Sequence, residues 1–159
     1  MRAGDHYESS HQHKELTRKL GDLVIALEAL FSPSDQGELS FRIALSIAHL
    51  LAKDDLERER IFQFTKKMYA CRSKLFHGAY DVNAVYEDRF ICDEEIEQLS
   101  SIVRESILRF IILLLKGENK REEILKKISE GFTTLAVSQA VQDASDPNRF
   151  LTEFLEKST

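Results

Sequence analysis

From Asp54 to Gly78 apolar residues return at helical spacing, and Arg72, a permanent cation, falls in the middle of them. Each helical residue turns the chain by about 100°. With Arg72 as the zero direction, Ile61, Thr65, Met68, Tyr69, Leu75 and Phe76 lie within about 60° of it, and Phe62, Phe64 and Cys71 within about 100°. Gln63, Lys66, Lys67, Ala70 and Lys74 fall on the opposite, solvent side. The pattern demands a long helix packed in a bundle, with a guanidinium at the centre of its greasy face. Desolvating that group without a partner costs several kcal/mol. Two solutions are open. The arginine snorkels, or pairs with a carboxylate of another helix; or it borders a cleft and binds an anion.

The rest of the composition agrees with helices. In 159 residues there are 6 Gly, 2 Pro and no Trp, too few turn formers for a β fold, and the length suits a single domain. A net charge of -5 argues against a broad nucleic-acid-binding surface but leaves room for a small basic site. Lys66, Lys67, Arg72, Lys74 and His77 share a stretch without a carboxylate, so the local field there can oppose the global one. Lys66, Lys67 and Lys74 also read simply as a solvated face. The 2 cysteines, Cys71 and Cys92, form no metal-binding spacing and read as reduced thiols of a cytoplasmic protein. Phe110 to Leu115 is an apolar run far too short to span a bilayer.

Along the chain, residues 1–13 are polar and histidine-spotted (His6, His11, His13) and read as a flexible arm, with metal binding a lesser alternative. A helical domain follows over 14–131. Its first helix, about Lys14 to Phe31, places Leu16, Leu20, Leu23, Leu27 and Leu30 on one face, slightly weakened by Gly21. A Ser/Pro/Asp/Gly loop leads to Asp35 and Glu38, at capping-box spacing. The next helix, Glu38 to Ala52, is apolar on nearly every side. Its one polar arc, Glu38, Arg42, Ser46, His49 and Lys53, is either a wet stripe or a wall of the cleft that Arg72 enters. After the Arg72 helix, Ala79 to Cys92 lacks periodicity and reads as a loop over the site. A helix capped by Asp93 then carries Ile96, Leu99, Val103, Ser106, Ile107, Phe110 and Leu114. Its apolar end suggests burial by the bundle and by a second subunit. A short charged helix, Lys120 to Glu130, comes next, and residues 132–159 form a partly helical extension.

His77 lies five residues after Arg72, just before Gly78, where the helix should stop. Helix-end histidines often bond the last carbonyls. A fixed cation beside a base that titrates near neutral pH is also a sensible pair for a phosphodiester. The guanidinium holds non-bridging oxygens and the imidazole moves the proton.

The wording around this pair is more specific than the pair. Tyr69-Ala70-Cys71-Arg72-Ser73-Lys74-Leu75-Phe76-His77-Gly78 resembles the signature of the Apea-like HEPN family: Tyr, two residues, Arg-Ser-Lys, two apolar residues, His-Gly. It also fits the general HEPN pattern of Arg, four to six residues, His. The likeness extends upstream through Leu27 to Phe31, Glu38 to Leu45 and Ala48 to Leu51, covering roughly residues 15 to 116. Beyond Gly117 the chain resembles nothing recognisable.

This resemblance implies an all-α HEPN-like bundle of four to five helices, dimerising through the motif helix. It implies a metal-independent endoribonuclease without a cofactor, whose composite cleft carries two Arg72/His77 pairs. His77 would activate the ribose 2′-hydroxyl or protonate the leaving oxygen, Arg72 would hold the scissile phosphate, and Ser73 would orient one of them. Lys74, Tyr69, Glu38, Arg42 and His49 are the candidate substrate-binding residues. The implied partners are RNA, a second copy of the chain, and an antitoxin or regulatory domain, in a toxin or phage-defence setting. The competing reading is a catalytically inactive helical interaction domain, with Arg72 ion-paired to Glu28 or Glu38.

Overall fold

The computed structural model describes residues 2–13, 15–32, 38–76, 91–115 and 120–129, and among them the chain is an all-α bundle with no strand. The helices are α1 (Arg2–Gln12), α2 (Leu16–Phe31), α3 (Leu39–Leu51), α4 (Asp55–Phe76), α5 (Asp93–Leu115) and α6 (Arg121–Ser129). The expected extension over 132–159 lies outside the described residues.

The core is where helical spacing places it. Leu20, Leu23, Leu27 and Leu30 of α2 are buried, and Leu16 packs against them from the edge. Ile43, Ile47 and Leu50 of α3 and Ile96, Leu99, Val103 and Phe110 of α5 complete the interior. Phe31 meets Phe110 edge to face at 5.7 Å between centroids, a geometry that adds about 0.5–1.5 kcal/mol to simple burial. The apolar end of α5 is only partly covered within one chain. Ile112 and Leu113 are buried, whereas Ile111 and Leu115 are exposed.

The first departure from the sequence reading is the N-terminal arm. Residues 2–12 form α1, which lies along α2. Its docking is polar, which is why hydropathy hides it. The Ser9 hydroxyl donates to Asp22 Oδ2 (2.8 Å), and His13 Nε2 and His6 Nδ1 stand 3.2 and 3.7 Å from the same carboxylate. Small residues, Ala3 and Ser10, are the ones buried.

Of the capping box expected at Asp35 and Glu38, Asp35 lies outside the described residues. Glu38 is the residue before α3, in the left-handed region (φ 39°), and makes no side-chain cap. A carboxylate cap exists instead at α4, where the Glu57 N–H donates to Asp54 Oδ1 (2.7 Å) and Glu57 Oε2 accepts from the Lys53 N–H (2.7 Å). This fixes the tight reversal from α3 into α4.

Two arginines close the C-terminal ends of other helices. Arg109, buried in α5, donates from one guanidinium nitrogen to the carbonyls of Leu50 (2.6 Å) and Leu51 (3.1 Å). Arg121 donates from Nε to Leu30 O (3.0 Å) and from a terminal nitrogen to Ser32 O (2.7 Å). Helix C-termini leave four carbonyls unpaired and carry partial negative charge, so a cation is well placed there.

Candidate functional site

Arg72 sits in the last turn of the described part of α4, on the side that carries the buried Thr65, Met68 and Tyr69. Two landmarks orient it against α2. An added Cβ at Gly21 would lie 3.1 Å from Phe76 Cζ, and the Glu28 carboxylate acts electrostatically on Tyr69. The two helices therefore run antiparallel, and Arg72 falls between those landmarks. Gly21, a mild defect by helix propensity, has a steric purpose here: it lets the Phe76 ring approach α2.

The guanidinium carbon of Arg72 lies 5.1 Å from the centroid of the Phe76 ring, a cation–π seat. Among the described residues Arg72 has no ion-pair partner, and its buried Nε has no hydrogen-bond partner. The expected pairing with Glu28 or Glu38 does not occur. Tyr69 is buried, with its hydroxyl also unpartnered among the described residues. Burial pushes its phenol well above the usual range, the Glu28 carboxylate adds to this, and Arg72 opposes it. Tyr69 is thus a neutral hydroxyl, able to donate. Thr65 Oγ1, one turn earlier, is a third buried atom without a partner. Thr65, Tyr69 and Arg72 are spaced four and three apart, so the inner face of α4 carries a line of unspent polar groups. Such groups cost about 1–3 kcal/mol each when left unsatisfied. Their apolar-face spacing hid Thr65 and Tyr69 as a polar line; three polar atoms at i, i+4 and i+7 were the available signal.

The other candidates separate. Ser73 and Lys74 are exposed beside Arg72, and Lys74 is engaged with a neighbour. Glu38 and Arg42 are exposed at the start of α3. His49, left open between a wet stripe and a cleft wall, has a structural contact. Its Nδ1 lies 2.9 Å from the Ile128 carbonyl, which can only accept, so that nitrogen carries hydrogen and ties α3 to α6. The arc from Glu38 to Lys53 is therefore not one stripe: Glu38, Arg42 and Lys53 are exposed, Ser46 is buried, and His49 meets α6. His77 and most of the expected loop over the site lie outside the described residues. Among the described residues no group of three or more His, Cys, Asp or Glu could hold a metal ion.

No helix among the described residues is long and apolar enough to cross a membrane. In comparisons with known proteins, no family model, curated sequence or solved structure matches the chain significantly.

Proposed function

We propose that this chain is a metal-independent endoribonuclease of HEPN type, cleaving RNA by 2′-hydroxyl attack at a site shared by two copies. One observation carries the reading: Arg72 Nε and the Tyr69 hydroxyl lie buried side by side on α4, and the described chain supplies neither with a partner. Arg72 as a whole is only half-buried, so its terminal nitrogens, rather than the sealed Nε, are what a phosphate would reach. The Arg72 guanidinium would hold the non-bridging oxygens and stabilise the added charge of the transition state. The neutral Tyr69 hydroxyl, sealed beneath, would back the guanidinium rather than meet the phosphate directly. His77, one residue beyond the described end of α4, would take the 2′-hydroxyl proton or return one to the leaving oxygen. Ser73 would orient one of the pair, with Lys74, Glu38 and Arg42 as outer contacts. Products would carry 2′,3′-cyclic phosphate or 3′-phosphate ends, and DNA, lacking the hydroxyl, would survive.

The biological setting that fits is a cytoplasmic toxin or phage-defence system with an antitoxin or regulatory domain. The test is cleavage of RNA and of matched DNA in EDTA by the purified chain, by Arg72→Ala and by His77→Ala. Loss of RNA cleavage in both variants, with folding intact, supports the proposal; cleavage that persists in both overturns it.

A second reading, an inactive helical interaction domain, is favoured by one contact. Phe76 gives the Arg72 guanidinium a seat without any ligand, and at 61% exposure the ring itself is left for a partner surface. Under that reading the chain binds a second copy and cuts nothing.

A further inference from the structure

A polar cavity of about 410 Å³ opens between α1, α2 and α5. Its volume falls within the roughly 300–1,000 Å³ of small-molecule sites. The residues that give it character are Lys19 from α2, Tyr7 from α1, and Glu97, Ser100, Ser101 and Arg104 from α5. Lys19 would ordinarily pair with Asp22, three residues on along the same helix. Asp22 is instead taken up by Ser9, His6 and His13 of α1, and Lys19 has no ion-pair partner among the described residues. Arg104 has only a loose contact, 3.7 Å, with the carboxylate of the adjacent Glu105. The docking of α1 thus does two things at once: it builds one wall of the cavity and leaves a lysine ammonium uncompensated beside it. In a chain of net charge -5, two such cations facing one cavity are a local exception.

We infer that this cavity binds a small phosphate monoester, with Arg104 holding the phosphate, Lys19 reaching it across the cavity from α2, and Glu97 accepting from hydroxyl groups. The spacing on α5 supports the polarity. Ser100 and Arg104 are one turn apart, so a hydroxyl and a guanidinium address the same anion. Glu97 is seven residues before Arg104, about 10 Å along the helix axis. A carboxylate there repels a bare anion lying beside it but accepts hydrogen bonds from a sugar. Tyr7 supplies the apolar ring against which a sugar face can rest.

The experiment is calorimetric titration of the full chain with ribose 5-phosphate, inorganic phosphate and ribose. Ribose 5-phosphate should bind, inorganic phosphate more weakly, and ribose not at all. Lys19→Glu and Arg104→Glu should each weaken ribose 5-phosphate binding roughly ten- to hundredfold, the loss of one charge-assisted bond. Both side chains are on the surface of the bundle, so circular dichroism should show the variants folded. His77→Ala should bind like the parent chain, which keeps this test separate from that of RNA cleavage. Failure of all three compounds to bind, equal binding of ribose, equal binding of inorganic phosphate, or unchanged binding in both charge-reversal variants would overturn the inference.

Discussion

Arg109 and Arg72 are both arginines placed among apolar residues near a helix end, and the chain treats them in opposite ways. Arg109 is held by the fold: one nitrogen serves the carbonyls of both Leu50 and Leu51 and closes the C-terminus of α3, although its buried Nε, like that of Arg72, has no partner among the described residues. Burial lowers its pKa, opposed by the carboxylates of Glu105 and Glu57, but the group remains a cation. Among the described residues Arg72 rests on the face of Phe76, with its Nε and the nearby Tyr69 hydroxyl without a hydrogen-bond partner. A buried cation whose acceptors are supplied by the fold is architecture. One whose acceptors are missing has been left for something else, or is tolerated at a cost. The difference between the two ends is therefore measurable as a split between stability and activity.

Under the proposed function, the largest expected effect is on activity at the Arg72 end. His77→Ala should lower RNA cleavage about 10²–10⁴-fold, as for loss of a general acid or base. Arg72→Ala should lower it about 10²–10³-fold, as for loss of one transition-state anchor. Gel assays in EDTA with single-stranded RNA measure both. Parent-like rates in Arg72→Ala would erase the contrast with Arg109.

Next comes stability at the Arg109 end. Arg109→Met keeps the apolar stem but orphans two helix-end carbonyls, and should cost roughly 2–3 kcal/mol in urea unfolding. Arg72→Met removes only a ring contact and should stay within about 1 kcal/mol of the parent. The reverse order would mean that Arg72 is the structural arginine. Gly21→Ala probes the same seat with a smaller change. Helix propensity favours alanine by about 1 kcal/mol, while the new methyl would displace the Phe76 ring it meets at 3.1 Å. Stability should hold within about 1 kcal/mol, and cleavage should fall because the ring no longer carries Arg72. Unchanged cleavage would show that Phe76 has no part in positioning the guanidinium.

Much of the fold, and the Arg72 half of this contrast, was legible in the amino-acid sequence, and the unread part has identifiable causes. The period of 3.6 placed α2, α4 and α5 to within a few residues, and put Arg72 on an inward face, because apolar burial dominates the energetics of those elements. Arg109 and Arg121 were missed since their partners are backbone carbonyls more than 50 residues away in sequence, and no side-chain pattern marks a carbonyl. Helix α1 was missed for the converse reason. It docks through Ser9, His6 and His13 onto one carboxylate, so its buried face looks polar. The contact of His49 with α6 is invisible for the same reason as those of Arg109 and Arg121: its partner is the carbonyl of Ile128, 79 residues on. Local periodicity reports what a helix hides, but not which distant atoms it hides against.

The smallest effect concerns a cation that is paired but exposed. Lys67, five residues before Arg72 on the outer side of α4, donates to Glu95 of α5. Burial works against ionisation of Glu95, but the Lys67 hydrogen bond and the Cys92 N–H, 3.3 Å away, outweigh it and hold the carboxyl below its usual value of 4.5. That hydrogen bond likewise raises Lys67 above its usual 10.5. The contribution to stability is therefore complete above the ordinary carboxyl range and is lost as the pH falls through the lowered Glu95 value. At the alkaline end it persists below 10.5 and is lost as the pH rises through the raised Lys67 value. Solvent screens the pair, so Glu95→Gln should cost only about 0.5 kcal/mol at pH 7. In urea titrations the gap between the parent and Glu95→Gln should narrow as the pH drops below 4.5. A cost as large as that of Arg109→Met would show that pairing alone, without burial, sets what an arginine or lysine is worth to this bundle. The contrast between Arg109 and Arg72 would then need restating in terms of partners rather than desolvation.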